Sequence, residues 1–113
     1  MFNSVVLIGR AVDVPNVKTL DSGMVVGNFT LAVGRPYKNL EGNYDTDFIV
    51  CTCWNSVAMS AAEYIKKGSL ICVKALLITK DDTYTFTTEQ NESISRKIKA
   101  LEVSVERVIY LKL

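Results

Sequence analysis

The sequence predicts an all-β domain with a single helix, and two observations support this fold class. Several segments alternate Val, Leu, Ile and aromatic residues with smaller or polar ones, which is the period-2 pattern of strands. One segment only, "SVAMSAAEYIKKG" at 56–68, repeats apolar residues with helical spacing. The chain has 113 residues, of which 49% are hydrophobic and 22% charged, so one domain over residues 1–113 is expected.

Five strands are predicted along the chain. In order, they cover residues 3–11, 24–35, 47–55, 69–78 and 99–113. Pro15 ends the first strand because it lacks the N–H that a ladder requires, and the polar segment of about residues 79–100 is predicted to be a loop. The last strand changes phase at Glu106 and Arg107, which indicates a β-bulge or a break into two short strands.

The predicted helix lies between the third and fourth strands. Ser56 is expected at its N-cap and Gly68 directly after its C-terminus, where Lys66 and Lys67 would favour the helix dipole. Short strands with one helix in this place are typical of the five-stranded Greek-key barrel called the OB-fold. A ferredoxin-like sandwich needs a second helix, and residues 10–25 supply none.

The third strand, "DFIVCTCWN" at 47–55, is apolar on both faces. Alternation places Ile49, Cys51 and Cys53 on one face and the larger Phe48 and Trp54 on the other. A half-buried strand in a small domain usually has one polar face. The sequence therefore raises the question of what the aromatic face contacts.

The composition argues against several classes of chemistry. Histidine is absent, which removes the commonest general base, the Ser/His and Cys/His nucleophile pairs and most zinc sites. Cys51, Cys53 and Cys72 form no C-x-x-C pair and are interpreted as small buried residues, with a redox or metal role as the alternative. No spaced acid–base constellation or phosphate-binding Gly loop is found, so an enzyme is not expected.

Neither charge nor hydropathy places the protein at a particular surface. The formal net charge of +1 neither requires nor excludes a polyanionic partner, which would need cations collected on one face. "MFNSVVLIGR" lacks the basic region of a signal peptide, and "LICVKALLI" is interrupted by Lys74 and too short to span a bilayer. A soluble, cytoplasmic protein with no membrane partner is expected.

Five segments together resemble the bacterial single-stranded DNA-binding protein family in order and spacing. They are "FNSVVLIGR", "NFTLAVGRPYKN", "DFIVCTCWN", "AAEYIKKGSL" and "LEVSVERVIYL", and the resemblance covers residues 2–78 and 101–111. It implies an OB-fold that assembles as a homotetramer and wraps single-stranded DNA without sequence preference. It also implies that the protein needs no cofactor and acts on no small-molecule substrate.

The resemblance implies which side chains stack on DNA bases. In a barrel strand Ile49, Cys51 and Cys53 would line the core, so the opposite face becomes available for binding. Exposed aromatics are sequence-tolerant platforms because every base has a π-face. The positions that match base-stacking positions of the family are Tyr37, Phe48 and Trp54. The alternative for Phe48 and Trp54 is a second core or a subunit interface.

Cations are expected beside these platforms, since stacking alone does not hold a polyanion. The residues at or near phosphate-contacting positions of the family are Arg10, Lys18, Arg35, Lys38, Lys67 and Lys80. In the divergent segment, Tyr84 and Phe86 are further stacking candidates, and the alternative is a strand hairpin that packs on itself.

The sequence also departs from the family pattern. Ile78, Asp81 and Asp82 stand where the family has basic and aromatic residues, and Val50 stands where many relatives have a cation. The sequence ends at "YLKL" without the family's flexible, acidic tail, so recruitment of repair proteins through such a tail is not expected. Phage, plasmid, competence and reduced-genome versions of the family all fit this pattern, so the expected location is the cytoplasm, either associated with the nucleoid or, if phage-encoded, in the host.

The resulting hypothesis is a non-enzymatic protein that coats and protects single-stranded DNA in replication, recombination or DNA transfer. Two alternatives remain open at this point. One is a dimeric primosomal OB-fold adaptor, and the other is an OB module that binds only protein through its aromatic face. Oligomeric state would separate the first alternative from the hypothesis, and a gel shift would separate the second.

Overall fold

The computed structural model describes residues 1–112, and this part of the chain forms six strands and one helix. In chain order, they are β1 (Val5–Ala11), β2 (Asn16–Thr19), β3 (Val25–Lys38), β4 (Tyr44–Trp54), α1 (Asn55–Tyr64), β5 (Leu70–Thr87) and β6 (Ser93–Lys112). None of the described helical segments is long and apolar enough to cross a bilayer.

Five of the strands close into a barrel. The sheet order is β1-β5-β6-β4-β3-β2, and β1 also pairs with β3 through Arg10↔Ala32 and Ala11↔Leu31, which joins the two ends of the five-stranded ring. Gly9 permits this closure, because a Cβ there would lie 2.6 Å from the Ala32 carbonyl oxygen. The predicted five-stranded barrel with its helix between the third and fourth barrel strands is confirmed.

Two strand predictions are wrong in extent. The segment after Pro15 contains a sixth short strand, β2, which pairs with β3 outside the ring. The predicted loop at 79–100 is instead a regular antiparallel hairpin, in which β5 and β6 stay paired from Thr79↔Leu101 out to Thr87↔Ser93. We call residues 79–87 and 93–101 the distal ribbon. Its Thr-rich strand has the β-branched residues that favour an extended chain, so a polar composition there did not indicate a loop.

The predicted helix caps are also wrong. α1 begins at Asn55, so Ser56 lies inside the helix, and the N-cap residue is Trp54, which makes no side-chain capping bond. Asn55 makes the corner with a φ of 51°, which Asn tolerates better than most residues, and its Oδ1 accepts a bond from the Val25 amide. The helix ends at Tyr64, and Lys66 and Lys67 follow it in a turn rather than forming its last turn.

The core lies inside the barrel and under α1. Its largest fully buried side chains are Leu31, Cys51, Cys53, Ile65, Ile71 and Val73. The helix ends where it does because Ile65 enters this core in an extended conformation.

In β6, pairing shifts from Lys74↔Arg107 to Ala75↔Val105, so Glu106 is the extra residue of a β-bulge and the predicted phase change is confirmed.

Candidate nucleic-acid interface

The two faces of β4 have opposite environments. Cys51 and Cys53 are completely buried, and Ile49 is half-buried against the same core. On the other side, Phe48 is 65% exposed and Trp54 is 37% exposed. The prediction that the cysteines face the interior and the aromatics face outward is confirmed. We call the side of the sheet that carries Phe48 and Trp54 the outer face.

Strand register brings Trp54 and Lys18 together on the outer face. Lys18 pairs with Val26 across β2 and β3, and Val26 pairs with Trp54 across β3 and β4. Paired residues of neighbouring strands point to the same side of a sheet, so the three form one row. A shallow depression of about 120 Å³ lies in this region and is lined by Asn16, Lys18, Val26 and Asn28. An exposed cation thus lies in the same row as the only tryptophan of the sequence, two strands away.

A second row joins Arg10 to Phe48 across β3, from the same edge of β3 as the first row. Arg10 pairs with Ala32, and Ala32 pairs with Phe48, so Arg10 belongs to the same outer face. The Arg10 Nη1 donates to the Gly68 carbonyl oxygen at 2.9 Å, in the turn that also carries Lys67. This bond uses one of the five guanidinium N–H groups and leaves the others available for a phosphate.

The outer face continues from β4 onto β6 and β5. The parallel pair Thr52↔Ser104 and the antiparallel pair Ile78↔Glu102 keep these residues on one side of the sheet. Lys80 therefore also lies on this side, and its Nζ is 3.3 Å from the Glu102 carboxylate. Lys80 is thus an ion-paired cation, whereas Lys18 has no carboxylate within 4.0 Å among residues 1–112.

Tyr84 and Phe86 extend the same face into the distal ribbon. Their ring centroids are 5.9 Å apart, and their cross-strand partners are Arg96 and Ile94. Tyr84 is exposed and Phe86 is half-buried, so the ribbon forms the hairpin that was the alternative while still presenting an aromatic surface. Arg96 is exposed opposite Tyr84, and the local sequence pattern does not reveal this cation because only the hairpin register places it there.

Arg35 has a different environment from the other cations. Its Nε and Nη2 donate to the two carboxylate oxygens of Asp47 at 3.0 and 2.9 Å, and Asp45 lies 3.9 Å away. This hydrogen-bonded pairing raises the pKa of Arg35 and lowers the pKa of Asp47. Asp47 alternates with Phe48 along β4, so the pair projects from the opposite side of the sheet.

Tyr37 and Lys38 lie at the far end of the β3–β4 hairpin, away from the two rows described above. Both are exposed, and Lys38 Nζ is 5.8 Å from the ring centroid of Tyr44. Pairing skips from Gly34↔Thr46 to Lys38↔Tyr44, so β3 is irregular where it carries Tyr37. The structure thus brings Lys18, Arg10, Phe48 and Trp54 onto one surface and leaves Tyr37 and Lys38 at its margin.

The thiols of Cys51 and Cys53, which lie beneath the outer face, have low reactivity. Burial raises the pKa of Cys51 to about 12 and that of Cys53 to about 11. A thiol with such a pKa is protonated near neutral pH and is a poor nucleophile or metal ligand. Cys51 and Cys53 therefore act as small core residues that support the outer face.

Comparison with known proteins identifies the family of this chain. The sequence model of the "Single-strand binding protein family" matches residues 2–110. The chain is 38% identical over 112 residues to a single-stranded DNA-binding protein of Halalkalibacterium halodurans, an alignment that covers 99% of this chain and 62% of the relative. It is 36% identical over 112 residues to single-stranded DNA-binding protein 3 of Listeria innocua, covering 99% of this chain and 65% of that one.

A shorter relative aligns over a larger share of its own length. Single-stranded DNA-binding protein B of Bacillus subtilis is 39% identical over 80 residues, which is 71% of each chain. The chain thus spans less than two thirds of the length of the first two relatives. The match over nearly every residue of this chain nonetheless defines its family. The chain belongs to the single-strand binding protein family.

Proposed function

We propose that the protein binds single-stranded DNA without sequence preference, through the outer face of its barrel. The observation that carries the proposal is the exposed pair Phe48 and Trp54 on a strand whose other face is buried core. An aromatic ring on an exposed strand offers a flat surface to any base, and one stacked base contributes about 1–3 kcal/mol. The family and the names of the relatives support the same ligand.

The charges suit a ligand whose phosphates run beside the aromatics. Lys18 lies in the row of Trp54 and Arg10 in the row of Phe48, both across β3 from β4. Bases would stack on the two rings while phosphates contact these cations, with Lys67 close to Arg10 in the turn. Lys38 and Tyr37 would continue the path along the β3–β4 hairpin, and Tyr84 and Phe86 would continue it along the distal ribbon.

Assembly into a homotetramer is part of the proposal and rests on a separate surface. The outward-facing residues Ile8, Cys72 and Ile109 form a cross-strand row on β1, β5 and β6, flanked by Val6. Ile8 and Val6 are 56% and 63% exposed in the single chain. Exposed apolar surface of this kind is typical of subunit contacts, and packing against further copies would remove it from water.

In this role the protein coats and protects single strands during replication, recombination or DNA transfer in the cytoplasm, and it catalyses no reaction. The proposal is tested by titrating the purified protein with oligo-dT and with duplex of equal length, at low salt, while following Trp54 fluorescence. Saturable quenching by oligo-dT and much weaker binding of duplex are expected. No binding of oligo-dT would favour a protein-interaction module, and a dimer in light scattering would contradict the tetramer.

A further inference from the structure

The shallow depression between β2 and β3 has a lining without any acidic residue. Its walls are Asn16, Lys18, Val26 and Asn28, and its volume is about 120 Å³. Asn16 lies directly opposite Asn28, and Lys18 directly opposite Val26, so the four side chains form two adjacent cross-strand pairs on the outer face. Val26 is half-buried, and the other three residues are exposed. The depression therefore combines one apolar side chain with three polar ones that a ligand can reach.

The polar groups of the depression are not engaged by the rest of the molecule. Among residues 1–112, no carboxylate lies within 4.0 Å of Lys18, and neither the Asn16 nor the Asn28 side chain makes a hydrogen bond. A side-chain amide carries two N–H donors, and an ammonium group carries three. In protein–DNA complexes, both groups donate to phosphate oxygens. This set of donors therefore suits an anionic acceptor.

The depression also lies close to the place where a base would stack on Trp54. Val26 pairs with Trp54 across β3 and β4, and Lys18 follows in the same row on β2. Neighbouring strands are about 4.8 Å apart, so this row spans about 10 Å from β4 to β2. A nucleotide whose base stacks on Trp54 can therefore extend its sugar across the methyl groups of Val26 and its phosphate towards the polar groups.

We propose that the depression is a sugar–phosphate subsite of the outer face, in which the side-chain amides of Asn16 and Asn28 donate to a backbone phosphate beside Lys18. The inference rests on the proposed function, because its ligand is the strand that stacks on Trp54. Asn16 and Asn28 bind a group that every nucleotide carries. The subsite therefore adds affinity without any preference for a base sequence.

The test measures oligo-dT binding by fluorescence anisotropy over a range of salt concentrations, for the wild type, Asn16→Ala, Asn28→Ala and the control Asn43→Ala. Loss of a hydrogen bond to phosphate should weaken binding by about threefold to tenfold in either of the first two variants. A neutral amide releases no counterion, so the slope of log K against log[salt] should stay that of the wild type, whereas Lys18→Ala should reduce it. Asn43 is exposed in the β3–β4 connection, and its replacement should leave the affinity unchanged.

Two further measurements separate this subsite from a general loss of binding. Asn28→Asp keeps the size of the side chain but places a carboxylate against the phosphate, so it should weaken binding more than Asn28→Ala, most of all at low salt. In the wild type, the side-chain N–H resonances of Asn16 and Asn28 should shift during an NMR titration with oligo-dT, and those of Asn43 should not.

The possible failures of the subsite and of the proposed function are distinguishable. Unchanged affinity in both Asn16→Ala and Asn28→Ala, or side-chain resonances that do not shift when the protein is saturated with oligo-dT, would overturn the subsite alone. The resonances need no variant, so this result is obtained even if a substitution impairs folding. Failure of the wild type to bind oligo-dT would instead overturn the proposed function.

Discussion

The inner and outer faces of β4 use alternate residues of one strand for different purposes. On the inner face, Cys51 and Cys53 are small, fully buried side chains within the barrel core. On the outer face, Phe48 and Trp54 are large aromatics that remain exposed although their burial would be favourable. The difference teaches that size and hydrophobicity do not decide burial here. On β4 the small apolar groups face the core, and the large ones remain exposed and available to a partner.

The same division applies to the charged residues around the strand. Lys18 and Arg10 lie on the outer face, and no carboxylate lies within 4.0 Å of either in the part of the chain that the structure describes. Arg35 projects from the other side and binds Asp47 through two hydrogen bonds. We therefore expect inner-face changes to affect stability and outer-face changes to affect binding.

The largest expected effect concerns the reactivity of the buried thiols. The raised pKa values of Cys51 and Cys53 suppress the reactive thiolate near pH 8, so DTNB should label them slower by orders of magnitude in the native than in the unfolded protein. The same protein labelled in denaturant serves as the control, because unfolding exposes all its thiols. Native labelling of Cys51 and Cys53 as fast as labelling in denaturant would show that the face assignment is inverted.

These thiols also predict how stability depends on pH. Their pKa is higher in the folded than in the unfolded state, so the folded protein keeps their protons while the unfolded chain releases them. The free energy of unfolding should therefore fall as pH rises from about 9 towards 12. A denaturant titration at several pH values measures this loss, and Cys51→Ala should reduce it. A stability that rises over this range would contradict the burial of the thiols.

The direct comparison of the two faces uses Trp54→Ala and Cys53→Ser. Trp54→Ala should weaken oligo-dT binding by about five- to 150-fold with little change in melting temperature, because one stacking platform is lost. Phe48→Ala should behave in the same way. Cys53→Ser should lower the free energy of unfolding by about 1–3 kcal/mol through a buried hydroxyl and leave the affinity of the folded protein intact. Both variants are titrated with oligo-dT and melted thermally. Loss of stability in Trp54→Ala together with loss of affinity in Cys53→Ser would contradict the assignment of the two faces.

Salt dependence should report how many cations bind phosphate. Four of the six candidates have no carboxylate partner among the described residues, namely Arg10, Lys18, Lys38 and Lys67. At about −0.7 per contact, the slope of log K against log[salt] should be about −2.8, and a fourfold increase in salt should weaken binding about fiftyfold. A slope near −4.2 would mean that Arg35 and Lys80 also leave their ion pairs for phosphates.

The smallest expected effect is the difference in DNA binding between a cation that has a carboxylate partner and one that has none among the described residues. Lys18→Ala should reduce the steepness of the salt slope by about 0.7 and weaken binding several-fold at moderate salt. Arg35→Ala should change both quantities less, because its guanidinium already binds Asp47. The two variants are measured side by side with oligo-dT. A larger loss for Arg35→Ala would show that DNA displaces Asp47.

Local pattern was sufficient to predict the barrel and the two faces of its central strand. Alternation along residues 47–55 assigned Cys51 and Cys53 to one side and Phe48 and Trp54 to the other, and the structure has this arrangement. Alternation is a property of the extended backbone itself, so it needs no knowledge of neighbouring strands. The phase change at Glu106 was visible for the same reason, because one extra residue reverses the faces of a strand.

The helix caps and the distal ribbon depended on tertiary contacts instead. The helix ends at Tyr64 because Ile65 enters the core, although the Lys66–Lys67–Gly68 sequence favoured a longer helix. Residues 79–101 look like a polar loop in sequence, but each strand of the ribbon supplies the hydrogen-bond partners of the other. The pairing of one strand with another cannot be predicted from the local pattern of either strand alone.

The sequence by itself determined the fold class, the buried thiols and the aromatic residues that remain outside. The tertiary structure decided which charges accompany those aromatics. Lys18 and Trp54 are 36 positions apart and share a row only through the register of three strands, while Arg35 and Lys80 form ion pairs with Asp47 and Glu102. The physical reason is that alternation follows from one chain's backbone geometry, whereas charge pairing depends on distances that exist only after the barrel has closed.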